Sequence, residues 1–312
     1  MIRLRHACAL AFLAAFVAPA PGPRPDAQAD AQADAQADAQ AEPPAMGEFV
    51  TVRHPNGTVA REGRVVNGRR AGPWRGWHEN GALAYEGEFH DYQRVGHWVY
   101  WKENGKKGME GGWKDGRRAG TWTMYGDDGE KSTEGTFERG VRNGPWTSYQ
   151  GGVKFREGRY VHGLKQGPWI QYYPNGAKLS EGPYVDGVQE GLFTRWHPNG
   201  TKEFEGRFTR DQETGPWTRW HPDGEPLASG AYAAGKMHGE WTGWYGDGQR
   251  EYRGSFQDGK EQGLWTFWHP NGTKRAEGGF VDGQREGDWK DWLEDGSTDF
   301  VRTGRYSKGA KQ

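Results

Sequence analysis

Of 312 residues, 51 are Gly, 17 Trp, 13 Tyr and 13 Phe, one is Cys, and only 33% are hydrophobic. Gly at about 16%, against a background near 7%, costs a helix about 1 kcal/mol per occurrence, and the chain lacks the Val/Ile/Leu strands of a parallel sheet, so helical and doubly wound folds are excluded. The net charge is −1, and no run of about 20 apolar residues is present to span a bilayer in the mature chain.

In chain order, residues 1–20 read as a secretory signal peptide: Arg3 and Arg5, an apolar run from Ala7 to Val17, then Ala18-Pro19-Ala20. The only cysteine, Cys8, lies inside that leader, so the mature chain is expected to hold neither a disulfide nor a thiolate-bound zinc. Residues 21–45 form a low-complexity linker, DAQA repeated four times between Pro-containing flanks, too polar to offset its chain entropy. Without these segments, residues 46–312 carry 38 basic against 37 acidic residues. That neutrality argues against nucleic acid and against an anionic lipid surface as partner.

Residues 46–312 repeat. Trp74, Trp98, Trp122, Trp146, Trp169, Phe193, Trp217, Trp241, Trp265 and Trp289 follow one another at 24-residue steps, with one step of 23. Three residues after each stands a second aromatic: Trp77, Trp101, Tyr125, Tyr149, Tyr172, Trp196, Trp220, Trp244, Trp268 and Trp292. A fixed period of this length marks a repeat architecture. Asn-Gly or Asp-Gly recurs once per period between short aromatic runs, as at Asn56-Gly57, Asn199-Gly200 and Asn271-Gly272, which signals a hairpin whose turn pair tolerates positive φ. A second turn series, including Asn67-Gly68, Asp115-Gly116 and Asp282-Gly283, closes each partner strand. Two short strands and two turns per period predict antiparallel neighbours throughout, since such connections are too short for a parallel crossover.

Residues three apart on a strand face opposite ways, so Trp217 and Trp220 are expected on different faces. Phe204, Gly206 and Phe208 share one face and Glu203, Glu205 and Arg207 the other, with Gly giving a flat seat for an aromatic of the next strand. Each aromatic brings about 150–250 Å² to such a contact. The predicted fold is all-β: an elongated antiparallel β-hairpin array, an open meander or ribbon of about ten repeats with some twenty strands. At about 4.8 Å per strand it would be on the order of 100 Å long. Residues 49–73 form an incomplete first unit, and the lengthened last unit is expected to cap the C-terminus.

The pattern Glu-Gly-x-[Phe/Tyr]-x-x-Gly-x-x-x-Gly-x-Trp-x-x-[Trp/Tyr]-x-x-[Asn/Asp]-Gly, clearest from Glu277-Gly278-Gly279-Phe280 to Gly287-Asp288-Trp289, resembles the bacterial variant of the MORN repeat over roughly residues 49–306. The resemblance implies a β-hairpin array that serves as a binding or scaffold module. By family analogy alone it also implies an antitoxin-like or membrane-associated module, which the neutral charge and the export signal disfavour here.

Candidate chemistry falls in columns. Glu62, Glu86, Glu110, Glu134, Glu157, Glu181, Glu205 and Glu277 occupy one repeat position. Hydrolytic acid pairs need two carboxyls with separated pKa values, whereas an equivalent series reads as a solvated ladder paired with Lys or Arg. His54, His78, His197, His221 and His269 likewise recur beside the turn. Repeat neighbours about 10 Å apart cannot share a metal that each ligates at about 2 Å. No metal, cofactor or catalytic residue is expected.

The best binding candidates are the second-column tryptophans Trp77, Trp101, Trp196, Trp220, Trp244, Trp268 and Trp292, if their face is open; the alternative is that both columns pack internally. The expected function is that of a non-catalytic protein, exported to periplasm, envelope or medium, that scaffolds a protein partner. The alternative is binding of a carbohydrate or envelope polymer through the aromatic rows.

Overall fold

The computed structural model describes residues 47–312. The leader expected at 1–20 and the linker at 21–45 lie outside the described residues. Within them the chain forms 24 strands, from Glu48–Arg53 to Ala310–Lys311, and no helix. Each strand pairs antiparallel with its sequence neighbours, as Lys202–Thr209 does with Gly191–Trp196 and with Gln212–Trp220. The count exceeds the twenty expected because the sheet starts two strands before the first Trp, one strand is divided at Glu190, and two short strands close the C-terminus.

The two turns of each period are physically different. At Asn67-Gly68 both residues lie at positive φ, 52° and 72°, the two-residue type I′ geometry whose twist suits a hairpin. At His54-Pro55-Asn56-Gly57 only Gly57 does, at 90°. There the Gly57 N–H donates to the His54 carbonyl at 2.9 Å, and the His54 N–H to the Thr58 carbonyl at 2.8 Å. This is a type I turn closed by a left-handed glycine. It corrects the expectation that the Asn of this series also takes positive φ. Pro at the second turn position already fixes a type I geometry.

Every period also bends twice. One register shift lies beside the type I turn, as between Arg219 and Trp220. The other lies where Gly206–Arg207 faces Trp217 and Thr214, so that Gly215 and Pro216 are extra on the aromatic strand. Bulges of this kind curve a strand and raise its twist. The sheet consequently curls over its first aromatic column, and this single sheet seals its own core.

Trp98 is 0% exposed, and Trp122, Trp241 and Trp289 are each 1% exposed. Each first-column ring lies flat on the predicted glycine. A Cβ built on Gly206 or Gly254 would fall inside the indole of Trp217 or Trp265. Ring contacts then run unbroken from Trp74 to Tyr306, alternating a first-column ring with a Phe or Tyr of the partner strand, except that Tyr100 of Trp98's own strand links Trp98 to Trp122: Phe208–Trp217 at 5.2 Å, Trp217–Tyr232 at 5.3 Å, Tyr232–Trp241 at 5.3 Å. Most are edge-to-face, the geometry that the ring quadrupole favours.

Cations complete this core in the N-terminal half. Arg70, Arg118 and Arg142 stand 4.8, 4.7 and 4.6 Å from the rings of Trp74, Trp122 and Trp146, and Lys165 stands 4.9 Å from Trp169. Arg70 is 4% exposed. At the other end, Gly304–Ser307 pairs on Gln284–Asp291 and sets Tyr306 against Trp289, so the long last unit closes the core, in line with its expected capping role.

Candidate binding face

Glu205 and Gly206 are adjacent in an extended strand and so point to opposite faces. Gly206 carries Trp217; Glu205 therefore stands on the other face, together with Trp220. There Lys202 binds the Glu205 carboxylate at 2.7 Å and lies 5.6 Å from the Trp220 ring. The same trio recurs: Lys178 on Glu181 at 2.7 Å and over Trp196 at 5.8 Å, and Lys131 on Glu134 at 2.6 Å and over Tyr149 at 5.7 Å. Lys274 repeats it with Glu277 and Trp292. From Glu110 to Glu205, and again at Glu277, the glutamate column is thus a ladder paired with lysine. The Lys-x-x-Glu spacing that builds it in six units is the sequence signal that identifies the partner.

All seven second-column tryptophans, Trp77, Trp101, Trp196, Trp220, Trp244, Trp268 and Trp292, are half-buried, whereas every first-column aromatic is buried. They are spread along one face at repeat spacing, with Tyr in three units, and only Trp244 and Trp268 line a common cleft among the described residues. The two aromatic columns lie on opposite sides of one sheet, one sealed and the other half open.

The electrostatics of the ladder favour the ionised form of Glu110, Glu157, Glu205 and Glu277. The ammonium of Lys202 holds the Glu205 carboxyl below the usual carboxylate range, and Lys274 does the same for Glu277. For Glu110 the hydroxyl of Tyr125 is the larger cause, ahead of Lys107. Burial, then the hydrogen bond to its glutamate, pushes Tyr125 and Tyr172 up to about 12. A general acid at neutral pH needs the opposite shift.

The histidine column holds repeats together. His54, His78, His197 and His269 donate from Nε2 to the carbonyls of Trp77, Trp101, Trp220 and Trp292, each at 2.9–3.0 Å. Tyr173 and Tyr245 make the equivalent bond with their hydroxyls at 2.7 Å. Asn80 and Asn271 add amide bonds to the next turn, at the carbonyls of Glu103 and Glu294. Thr58, Thr201 and Thr273, in the Asn-Gly-Thr triplets, each donate to the preceding Asn side chain at 2.6–2.7 Å. Among the described residues no group of three His, Cys, Asp or Glu is placed to hold a metal.

Two stretches depart from the ladder. The first two units keep Glu62 and Glu86 but have Val59 and Leu83 at the lysine position, and further on Ser229 and Arg253 stand at the glutamate position with Pro226 and Arg250 at the lysine position. Arg253 turns to Glu240 at 2.8 Å. Arg250 lies 5.2 Å from the Trp268 ring. A shallow cleft of about 310 Å³ opens here, lined by Trp244, Gly248, Gln249, Arg250, Trp268 and Gly272.

The family model of the MORN repeat variant matches residues 70–91, 165–186 and 237–258. Each match runs from the residue just after a type I′ turn's closing position, through the Gly-x-Trp strand and the type I turn, to the next type I′ turn. No curated protein matches the chain. Among solved structures, that of TcdB2-TccC3-TEV aligns with 81% of this chain and 15% of its own at 10% identity and a TM-score of 0.19. That of TcdB2-TccC3-Cdc42 aligns with 83% and 19% at 11% identity and a TM-score of 0.18. The chain spans less than a fifth of those proteins, and superpositions this loose carry nothing about fold or function. The units between the three matched stretches keep the same repeat, with one step of 23 residues, and at those three stretches the chain carries repeats of the MORN variant type.

Proposed function

We propose that this array is a non-catalytic, exported scaffold that holds a protein partner. The observation that carries the reading is the division of labour between the aromatic columns. One column completes the core, and the other leaves a Trp or Tyr per hairpin half exposed at repeat spacing, the kind of surface on which aromatic anchors bind. A protein partner is favoured over a polymer by an aliphatic stripe on three successive type I′ turns. Val141, Leu164 and Val188 are 46, 49 and 36% exposed, in a chain otherwise poor in aliphatics. Val141 leans on Gly163 and Leu164 on Gly187, so the three form one continuous edge. Contiguous exposed apolar surface of this sort marks interaction sites.

The ladder supports the absence of catalysis. Its glutamates occupy one repeated position, six of them are lysine-paired, and Glu110, Glu157, Glu205 and Glu277 are shifted downward, so none is set apart as an acid or base. Export rests on the leader sequence, and its test is the N-terminus of the secreted protein.

The binding experiment is capture from an envelope or culture extract by the immobilised chain, beside Leu164→Ser/Val188→Ser and Trp196→Ala/Trp220→Ala variants. A protein retained by the native chain and lost from either variant supports the scaffold. Retention of nothing, or retention indifferent to both variants, overturns it.

A further inference from the structure

The break in the ladder has a chemistry of its own. In the intact units each lysine is neutralised by the glutamate three residues on, and Lys131, Lys178, Lys202 and Lys274 also lie over the following second-column ring, so both cation and ring are occupied there. At Arg250 the residue three positions on is Arg253, which is committed to Glu240. Among the described residues Arg250 forms no ion pair, and its guanidinium rests on Trp268 alone. Trp244 has no cation over it, because the residue that would supply one is Pro226. The result is a pair of second-column tryptophans one repeat apart, with a carboxylate-free guanidinium and the Gln249 amide between them, and the shallow cleft lies at this place.

We infer that this cleft is a binding site for the carboxylated sugar units of an acidic polysaccharide. The Trp244 indole, with no cation over it, gives an apolar face for a sugar ring beside the Arg250–Trp268 stack. The planar guanidinium, already oriented by its ring, offers paired N–H donors that match a carboxylate, and the glutamine amide serves hydroxyls. The cleft is at the small end of small-ligand sites and open along the turn edge, which suits one or two residues of a polymer. Charge complementarity selects an anionic sugar: the ladder lysines are neutralised by their glutamates, whereas Arg250 faces the cleft with no carboxylate paired to it among the described residues.

The test is titration of the full chain with galacturonic acid hexamer and with a neutral galactose hexamer, followed by calorimetry and Trp fluorescence. The uronate is expected to bind at least tenfold more tightly than the neutral sugar. Arg250→Gln should reduce uronate affinity at least tenfold. Arg253→Glu, which restores the ladder and recaptures Arg250, should do the same while the thermal unfolding profile stays native. Lys202→Gln, in an intact unit, should leave the affinity unchanged. Equal binding of both hexamers, no uronate binding at millimolar concentration, or native affinity in either arginine variant would overturn the assignment. The capture of a protein partner uses Leu164 and Val188 on a different edge, so the two readings fail separately.

Discussion

The carbonyl of the residue after each seat glycine lies opposite a two-residue bulge and has no partner on the facing strand. The indole N–H supplies one: Trp217 donates to the Arg207 carbonyl at 3.2 Å, Trp241 to Ala231 at 3.0 Å and Trp289 to Gly279 at 2.9 Å. This is why the first column is tryptophan and not merely aromatic. Trp146 does not share this bond, and at Phe193 the strand breaks and the Glu190 backbone N–H donates to the Pro183 carbonyl instead, at 3.1 Å. An unsatisfied buried carbonyl costs about 1–3 kcal/mol, so Trp217→Phe should lose roughly that much by denaturant unfolding, beyond its small loss of area. Lys165 makes a second residue-level case. Burial lowers its pKa to about 8, so above that value the folded protein binds fewer protons than the unfolded one, whose lysine titrates near about 10.4. Stability from this group therefore rises with pH across that window. Met237 occupies the equivalent position within the core. Lys165→Met is expected to be at least as stable as the native chain at pH 7, with the difference shrinking between pH 8 and 10 in urea titrations.

At the level of the hairpin, the seat glycines and antiparallel pairing were legible in the sequence because each rests on a local rule. Gly alone admits a ring against the backbone, and a two- to four-residue connection admits only an antiparallel partner. The two Asn-Gly series were not separable on the dipeptide alone. The proline before Asn56, Asn199 and Asn271 holds the discriminating information, by forcing the first turn position into the type I region. The stacked cations of Arg70, Arg118 and Arg142 were also not legible, because a charged residue next to a turn ordinarily reads as solvated and only the curl of the sheet brings it over a ring. The turn ladder makes a graded prediction. Asn199 accepts from the Thr201 N–H and hydroxyl and donates to the Pro222 carbonyl at 2.6 Å. Asn175 accepts from the Ala177 N–H at 3.0 Å. At about 0.5–1.5 kcal/mol per net hydrogen bond, Asn199→Ala should destabilise more than Asn175→Ala, by about 1–2 kcal/mol in paired denaturation curves. Equal losses would mean that the bond between neighbouring turns contributes nothing.

Across the whole molecule the fold is one motif propagated by nearest-neighbour contacts, as in other repeat arrays. The sealed column and its ring contacts join the units, and the half-open column is what remains for a partner. The candidate row of seven tryptophans was legible as a row, since the period fixed its spacing. Which column the curl would close was not, because alternation along a strand puts the columns on opposite faces and is silent about which face bends inward. The break at Ser229 and Arg253 was visible as letters, yet it becomes a site only once Lys202 and Lys274 are seen covering the rings on either side of it. The central claim is this division of the columns, and residue-resolved oxidation of the 17 tryptophans by hydroxyl radicals, read by mass spectrometry, tests it most directly. Trp77, Trp101, Trp196, Trp220, Trp244, Trp268 and Trp292 should oxidise several-fold faster than Trp74, Trp98, Trp122, Trp169, Trp217, Trp241, Trp265 and Trp289. Equal rates in the two sets, or faster oxidation of the second, would contradict it.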